Sequence, residues 1–150
     1  MPYPLSGIKV LDLSRVLAGP FAGRMLSDLG ADVVKLEPPE GDVTRHWRAK
    51  RGDIAGYYHQ QNAGKRNIAV DLRHPKGVEI VRSLVTQADV LIENFRPDVM
   101  QRLGLDYDTL AELNARHIML SISAFGANTP DSRRAPYEPQ THPETRLAVR

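Results

Sequence analysis

The 150 residues carry a formal net charge of only +2 and no cysteine; this lends no support to general polyanion binding and excludes disulfides, thiolate metal sites and cysteine nucleophiles. The length suffices for one domain with a real core, since roughly two-thirds of the extended surface is buried at this size. No apolar run approaches the ~20 residues of a membrane helix and the opening MPYPLSG carries no signal pattern, so the expectation is a soluble, cytoplasmic protein.

Ile8 to Leu13 reads as a strand apolar on both faces, the mark of a central parallel strand. Ser14 to Ala18 forms a loop, and Gly19-Pro20 starts a helix where the missing proline N–H is not needed. Ala22, Met25, Leu26 and Leu29 recur as one apolar stripe, Gly30 ends the helix, and Ala31 to Glu37 returns as a strand. Residues 38–64 show neither helical nor strand period and read as a long functional or disordered loop. Order resumes with a strand at Asn67 to Leu72, then a helix from Pro75 whose Val78, Val81, Val85 and Ala88 share a face, then a strand at Asp89 to Phe95. Arg96-Pro97 opens a short helix that Gly104 stops. Asp106 caps the next helix, which runs to about Asn114, with Leu105 and Leu110 as a hydrophobic staple. His117 to Phe125 is a further strand. From Thr129 the last 22 residues hold four prolines, three acids, four arginines and no apolar period. The whole reads as α/β, a Rossmann-like parallel sheet with flanking helices, whose ligand edge lies at the carboxyl ends of the strands.

Several motifs invite sharper readings. A glycine at a helix start suits a phosphate, yet SRVLAGPFAG lacks G-x-G-x-x-G and Pro20 removes a donor; a tight packing turn or a different nucleotide site is favoured over a dinucleotide site, although Glu37 ends the second strand where a ribose-binding acid belongs. Arg45, Trp47, Arg48, Lys50, Arg51, Tyr57 and Tyr58 fit a single-stranded nucleic-acid surface or, with Asp42 and Asp53 interleaved, a solvated loop whose rings tuck onto the core; the second is favoured. Lys65-Arg66, Arg73 and Arg96 sit near strand ends, with Arg102 following, where cations suit phosphate or carboxylate, although each taken alone reads better as a surface charge. The five histidines have no metal-ligand spacing, and no G-x-S-x-G exists.

The stretch PLSGIKVLDLSRVLAGPFAGRMLSDLGADVVKLEPPEGDVTR, followed by NAGKRNIAVDLRHPKG, ADVLIENFRPDVMQRLGLDYDTLAELN and SISAFG, resembles in order the opening segments of the family III CoA-transferases. That family includes formyl-CoA transferase, carnitine CoA-transferase and the α-methylacyl-CoA racemases. The resemblance covers residues 4 to about 126 and fades by about Tyr137.

It implies the amino-terminal part of a larger enzyme that moves CoA between carboxylic acids, with a fold incomplete relative to the family. By position, CoA contacts would fall on Leu17 and Ala18, on Val70, Asp71, Leu72 and Arg73, on Asn94, Phe95 and Arg96, on Arg102, and on Tyr137 near the thiol end. Pro38 departs from the arginine that some members place beside the adenine. The family's nucleophile, an aspartate that forms a mixed anhydride and then an enzyme–CoA thioester, aligns beyond residue 150, as does a glycine-rich loop. No catalytic residue is therefore assigned, and no metal is implied. The implied partners are acyl-CoA and a carboxylic acid, with no nucleic acid and no membrane. Family members form interlocked homodimers, and this chain lacks the segment that closes the ring. The expectation is a CoA-binding portion at 1–128 and an irregular Pro/Arg-rich tail at 129–150, set apart by truncation or a change of frame and inactive alone. A non-catalytic CoA-binding or interaction module is the alternative, and a nicotinamide-dependent oxidoreductase the third reading.

Overall fold

The computed structural model describes residues 2–47 and 50–126. Five parallel strands form the sheet: β1 (Lys9–Asp12), β2 (Asp32–Glu37), β5 (Arg66–Ala69), β6 (Val90–Glu93) and β7 (Ile118–Ser121), in the order β5-β2-β1-β6-β7. Val10 pairs with Val33 on one side and Val90 on the other, which fixes β1 at the centre. Successive side chains of a strand face opposite ways, and here each face finds a cover. Leu11, Leu36 and Leu91 join a core with Val81, Val85, Leu105 and Leu110 from the helices α3 (Pro75–Val85) and α5 (Tyr107–Ala111) and the chain beside them. Val10, Val33 and Ile92 point the other way and pack with Leu26 of α1 (Ala18–Asp28). This confirms the α/β class and the doubly covered central strand.

Local chemistry sets the helix ends. His74 caps α3 by accepting from Lys76 N with Pro75 in the first turn, Asp106 caps α5 by accepting from Thr109 N, and Gly104 ends α4 (Val99–Leu103) at a φ of 62°. Three sequence expectations change. The strands at Asn67–Leu72, Asp89–Phe95 and His117–Phe125 are shorter, because residues beyond Ala69, Glu93 and Ser121 turn away to line clefts. The span 38–64 is not one long loop: it holds a 3-10 turn (Val43–His46), the paired short strands β3 (Lys50–Arg51) and β4 (Ile54–Ala55), and α2 (Gly56–Asn62). Buried polar bonds, which leave no periodic apolar trace, order it. The third concerns α1. Met25 and Leu29 of the predicted stripe are 51% and 44% exposed, whereas Gly19, Pro20 and Gly23 are buried. The helix approaches the sheet so closely that a Cβ at Gly19 would lie 2.1 Å from Ser14 Cβ, and one at Gly23 2.6 Å from Asp12 Oδ2. The GPFAG segment thus packs as a tight turn, one of the two readings that the sequence favoured.

Candidate functional site at the carboxyl edge

The strand order reverses between β1 and β6, and in open parallel sheets the crevice outside that reversal holds ligands. Two clefts open there. One, of about 260 Å³, is lined by Leu13 and Arg15 after β1, Leu36, Pro38 and Glu40 at the end of β2 and after it, Val70 to Arg73 after β5, and Phe95 after β6. The other, about 580 Å³, runs from Phe95, Arg96 and Asp98 to Ser121 at the end of β7 and Ser123 and Gly126 after it, with Glu93 also in its wall. Phe95 belongs to both.

Of the residues singled out from sequence, Val70, Asp71, Leu72, Arg73 and Phe95 come together in the first cleft and Arg96 in the second. Asn94 stands behind them, accepting from Arg15 N at 2.7 Å and donating its amide to Arg15 O at 2.8 Å, so it ties the β1–α1 loop to the β6–α4 loop. Leu17 and Ala18 lie where α1 begins, and Arg102 is exposed in the last turn of α4; none of the three lines either cleft. Tyr137 lies outside the described residues. The Arg73 fork, expected for phosphate, holds the Asp71 carboxylate through Nε at 2.8 Å, with Glu40 at 3.7 Å. That hydrogen bond pushes the Asp71 carboxyl below its usual range and Arg73 above its own.

Sequence reading missed Arg15, whose guanidinium lies 5.5 Å from the Phe95 ring centre. The signal was present: Arg15 follows β1 as Arg96 follows β6, a cation at a strand end. It also missed what lies beneath the loops. Lys35 and Asp42 are each 1% exposed, with Nζ 3.5 Å from Oδ2. Lys65 Nζ, also 1% exposed, donates to Asp12 Oδ2 at 2.8 Å, Pro20 O at 2.7 Å and Asn62 Oδ1 at 2.9 Å. Burial pulls the Lys65 amine below the usual lysine range, against the opposing pull of Asp12. Glu37 accepts from Asp42 N, Arg45, Asn67 and the Tyr58 hydroxyl. Burial opposes its charge, but these donors prevail and hold its carboxyl below the usual range. Glu37 is therefore a structural anchor with its acceptor sites occupied, and the ribose role allowed from its position is withdrawn. In the described part of the basic and aromatic segment, Arg48 lying outside the described residues, Arg45 covers the Tyr58 ring at 4.0 Å and Trp47 rests on Tyr57 at 5.3 Å, so these rings fold onto the protein or onto one another.

Among the described residues no group of three or more His, Asp or Glu could hold a metal, and no helix among them is long and apolar enough to cross a membrane.

Comparison with known proteins gives these residues a context. Residues 5–148 match the family described as CoA-transferase family III. A succinate–glutarate CoA-transferase of Agrobacterium fabrum is 50% identical over 143 residues, covering 90% of this chain and 36% of that protein. The human succinyl-CoA:glutarate CoA-transferase is 44% identical over 137 residues, covering 90% and 31%. A crystal structure of a CAIB/BAIF family protein from Brucella suis superposes with a TM-score of 0.91 at 44% identity, covering 96% of this chain and 39% of that one. The chain thus spans about a third of the length of the curated relatives it matches.

Proposed function

Since the chain belongs to CoA-transferase family III, we propose that its two clefts hold coenzyme A as the amino-terminal part of an enzyme that moves CoA between carboxylic acids. The observation that carries this is the shared wall: Phe95 lines both clefts, which together run across the carboxyl ends of all five strands. An extended ligand with an anionic end and a thioester end needs such a track. Arg15, Arg73 and Arg96 along it supply cations for the phosphates, and the exposed Arg102 supplies another at the rim.

The chemistry proposed is covalent transfer. A carboxylate of the enzyme attacks the acyl-CoA carbonyl and expels the CoA thiolate, giving a mixed anhydride. The thiolate then attacks the enzyme's own acyl carbon, releasing the first acid and leaving an enzyme–CoA thioester that the second acid resolves by the reverse sequence. None of the residues named here is assigned the nucleophile's role; these residues bind and orient the carrier. A homodimer is part of the same proposal. Leu17, Phe21, Met25 and Leu29 present an exposed apolar row at four-residue spacing along α1, a surface that association would cover.

Calorimetric titration of CoA into the intact protein tests the reading. Binding that Arg73→Ala or Phe95→Ala weakens at least tenfold is expected; binding indifferent to both variants, or no binding at all, would sink it.

A further inference from the structure

Val16 carries a backbone φ of 69°, a left-handed conformation that a β-branched residue adopts only when its surroundings force it. The forcing groups are identifiable. Asp42 Oδ2 accepts the Val16 N–H at 3.1 Å, while Oδ1 accepts from Thr44 N and Thr44 Oγ at 2.9 and 2.7 Å. Lys35 Nζ donates to Ser14 O at 2.7 Å and stands 3.5 Å from the same Asp42 carboxylate. Glu37 steadies Asp42 in turn by accepting its N–H at 2.9 Å. With Asn94 holding both backbone groups of Arg15, the peptide groups from Ser14 O to Val16 N are all held by side chains. Neither Lys35 nor Asp42 lines either of the two clefts. Buried charges usually cost stability unless fully partnered, and here the partners converge on one strained residue of the ligand-edge loop.

We propose that Asp42, braced by Lys35, is a positioning residue: a latch that keeps Val16 left-handed and thereby aims the β1–α1 loop, with Arg15 over Phe95, at the ligand. The inference rests on the reading of the clefts as a CoA site. Released from Asp42, Val16 would return to negative φ, and the adjoining peptide planes, with Arg15, would turn out of register.

The test is a double-mutant cycle of CoA affinity on the intact protein. Asp42→Asn is expected to weaken CoA at least tenfold. Adding Val16→Gly is expected to restore more than half of that loss on a logarithmic scale, because glycine adopts a φ near 69° without steric penalty. A merely structural role for Asp42 would give no such rescue. Full affinity in Asp42→Asn, or a double variant as weak as the single, overturns the latch while leaving the CoA site intact. Failure of the unsubstituted protein to bind CoA overturns the site and the latch with it. Should Asp42→Asn not fold, amide exchange in the unsubstituted protein decides: a Val16 N–H slowed at least a hundredfold relative to an unstructured amide supports the latch, and free exchange overturns it.

Discussion

The two sides of the strand reversal are built differently. On the β1–β2 side, Asp12, Lys35, Glu37, Asp42, Arg45, Tyr58 and Lys65 knit the ligand-edge loops together through buried polar bonds. On the β6–β7 side, among the described residues, the wider cleft is walled by Phe95, Arg96, Ser121 and Ser123, and β7 leaves Ile118 and Leu120 at 64% and 40% exposure. One half of the edge carries its own geometry, as preorganised binding requires. The other presents surface to whatever it meets.

The harshest way to break this contrast is at Lys65. Lys65→Met strips Asp12, fully buried, of its cation, and loss of one partner of a buried pair is expected to cost about 3–5 kcal/mol in urea unfolding. Adding Asp12→Asn should return a large part of that; a single variant costing under ~1 kcal/mol would mean the network does not hold this half. Next in size is Gly77→Ala. A Cβ there would lie 2.1 Å from Asp71 O, backbone that cannot step aside cheaply, so about 1–3 kcal/mol is expected, together with weaker CoA binding as the Asp71–Arg73 turn shifts. Unchanged stability and affinity would show that the turn is softer than its packing.

Acid sharpens the same contrast. Burial opposes ionisation of Glu37 and Asp42, but the bonds from Arg45, Tyr58 and Asp42 N to the first, and the bonds from Thr44 and Val16 with the nearby Lys35 charge on the second, hold both carboxyls below their ordinary values of 4.5 and 3.8. A carboxyl depressed by folding stabilises the fold fully above its unfolded value, and that contribution is lost as pH falls through its folded one. Stability should therefore be flat near neutrality and drop below about pH 4.5. Glu37→Gln should be less stable at pH 7 yet decline less steeply; parallel pH profiles for the two proteins would contradict the anchoring role.

Much of this was legible in the sequence for a physical reason. β1 reads as an internal strand because Val10 and Leu11 must both leave water, and α3 reads correctly because Val81 and Val85 repeat on one face that the sheet covers. Gly104 and Asp106 act through local backbone geometry, which sequence alone encodes. The α1 stripe misled because periodicity reports an apolar face, not which face is packed; the close approach at Gly19 and Gly23 turned Met25 outward. The 38–64 segment was opaque because Glu37, Asp42 and Arg45 order it through partners as distant as Lys35, Tyr58 and Asn67. For the site, Val70 to Arg73 and Phe95 followed from the family resemblance, while Arg15 and the Val16 latch required the fold that brings Asn94 and Asp42 to them.

The smallest effect is the most telling about the open side. Ile118→Thr keeps the β-branch that suits a strand and alters a side chain that is 64% exposed, so stability of the intact protein should shift by under about 0.5 kcal/mol. Leu91 sits one strand inward, paired with Met119 and fully buried, and Leu91→Ala should cost about 2–5 kcal/mol. A fall of that order between neighbouring strands would mark β7 as the margin of the packed sheet. If instead Ile118→Thr costs more than about 1 kcal/mol, more than an exposed position accounts for, then β7 is covered in the intact protein by further polypeptide or by a second copy. Repeating the measurement over a hundredfold range of protein concentration separates the two: a cost that grows with concentration belongs to association, and a constant cost belongs to the chain itself.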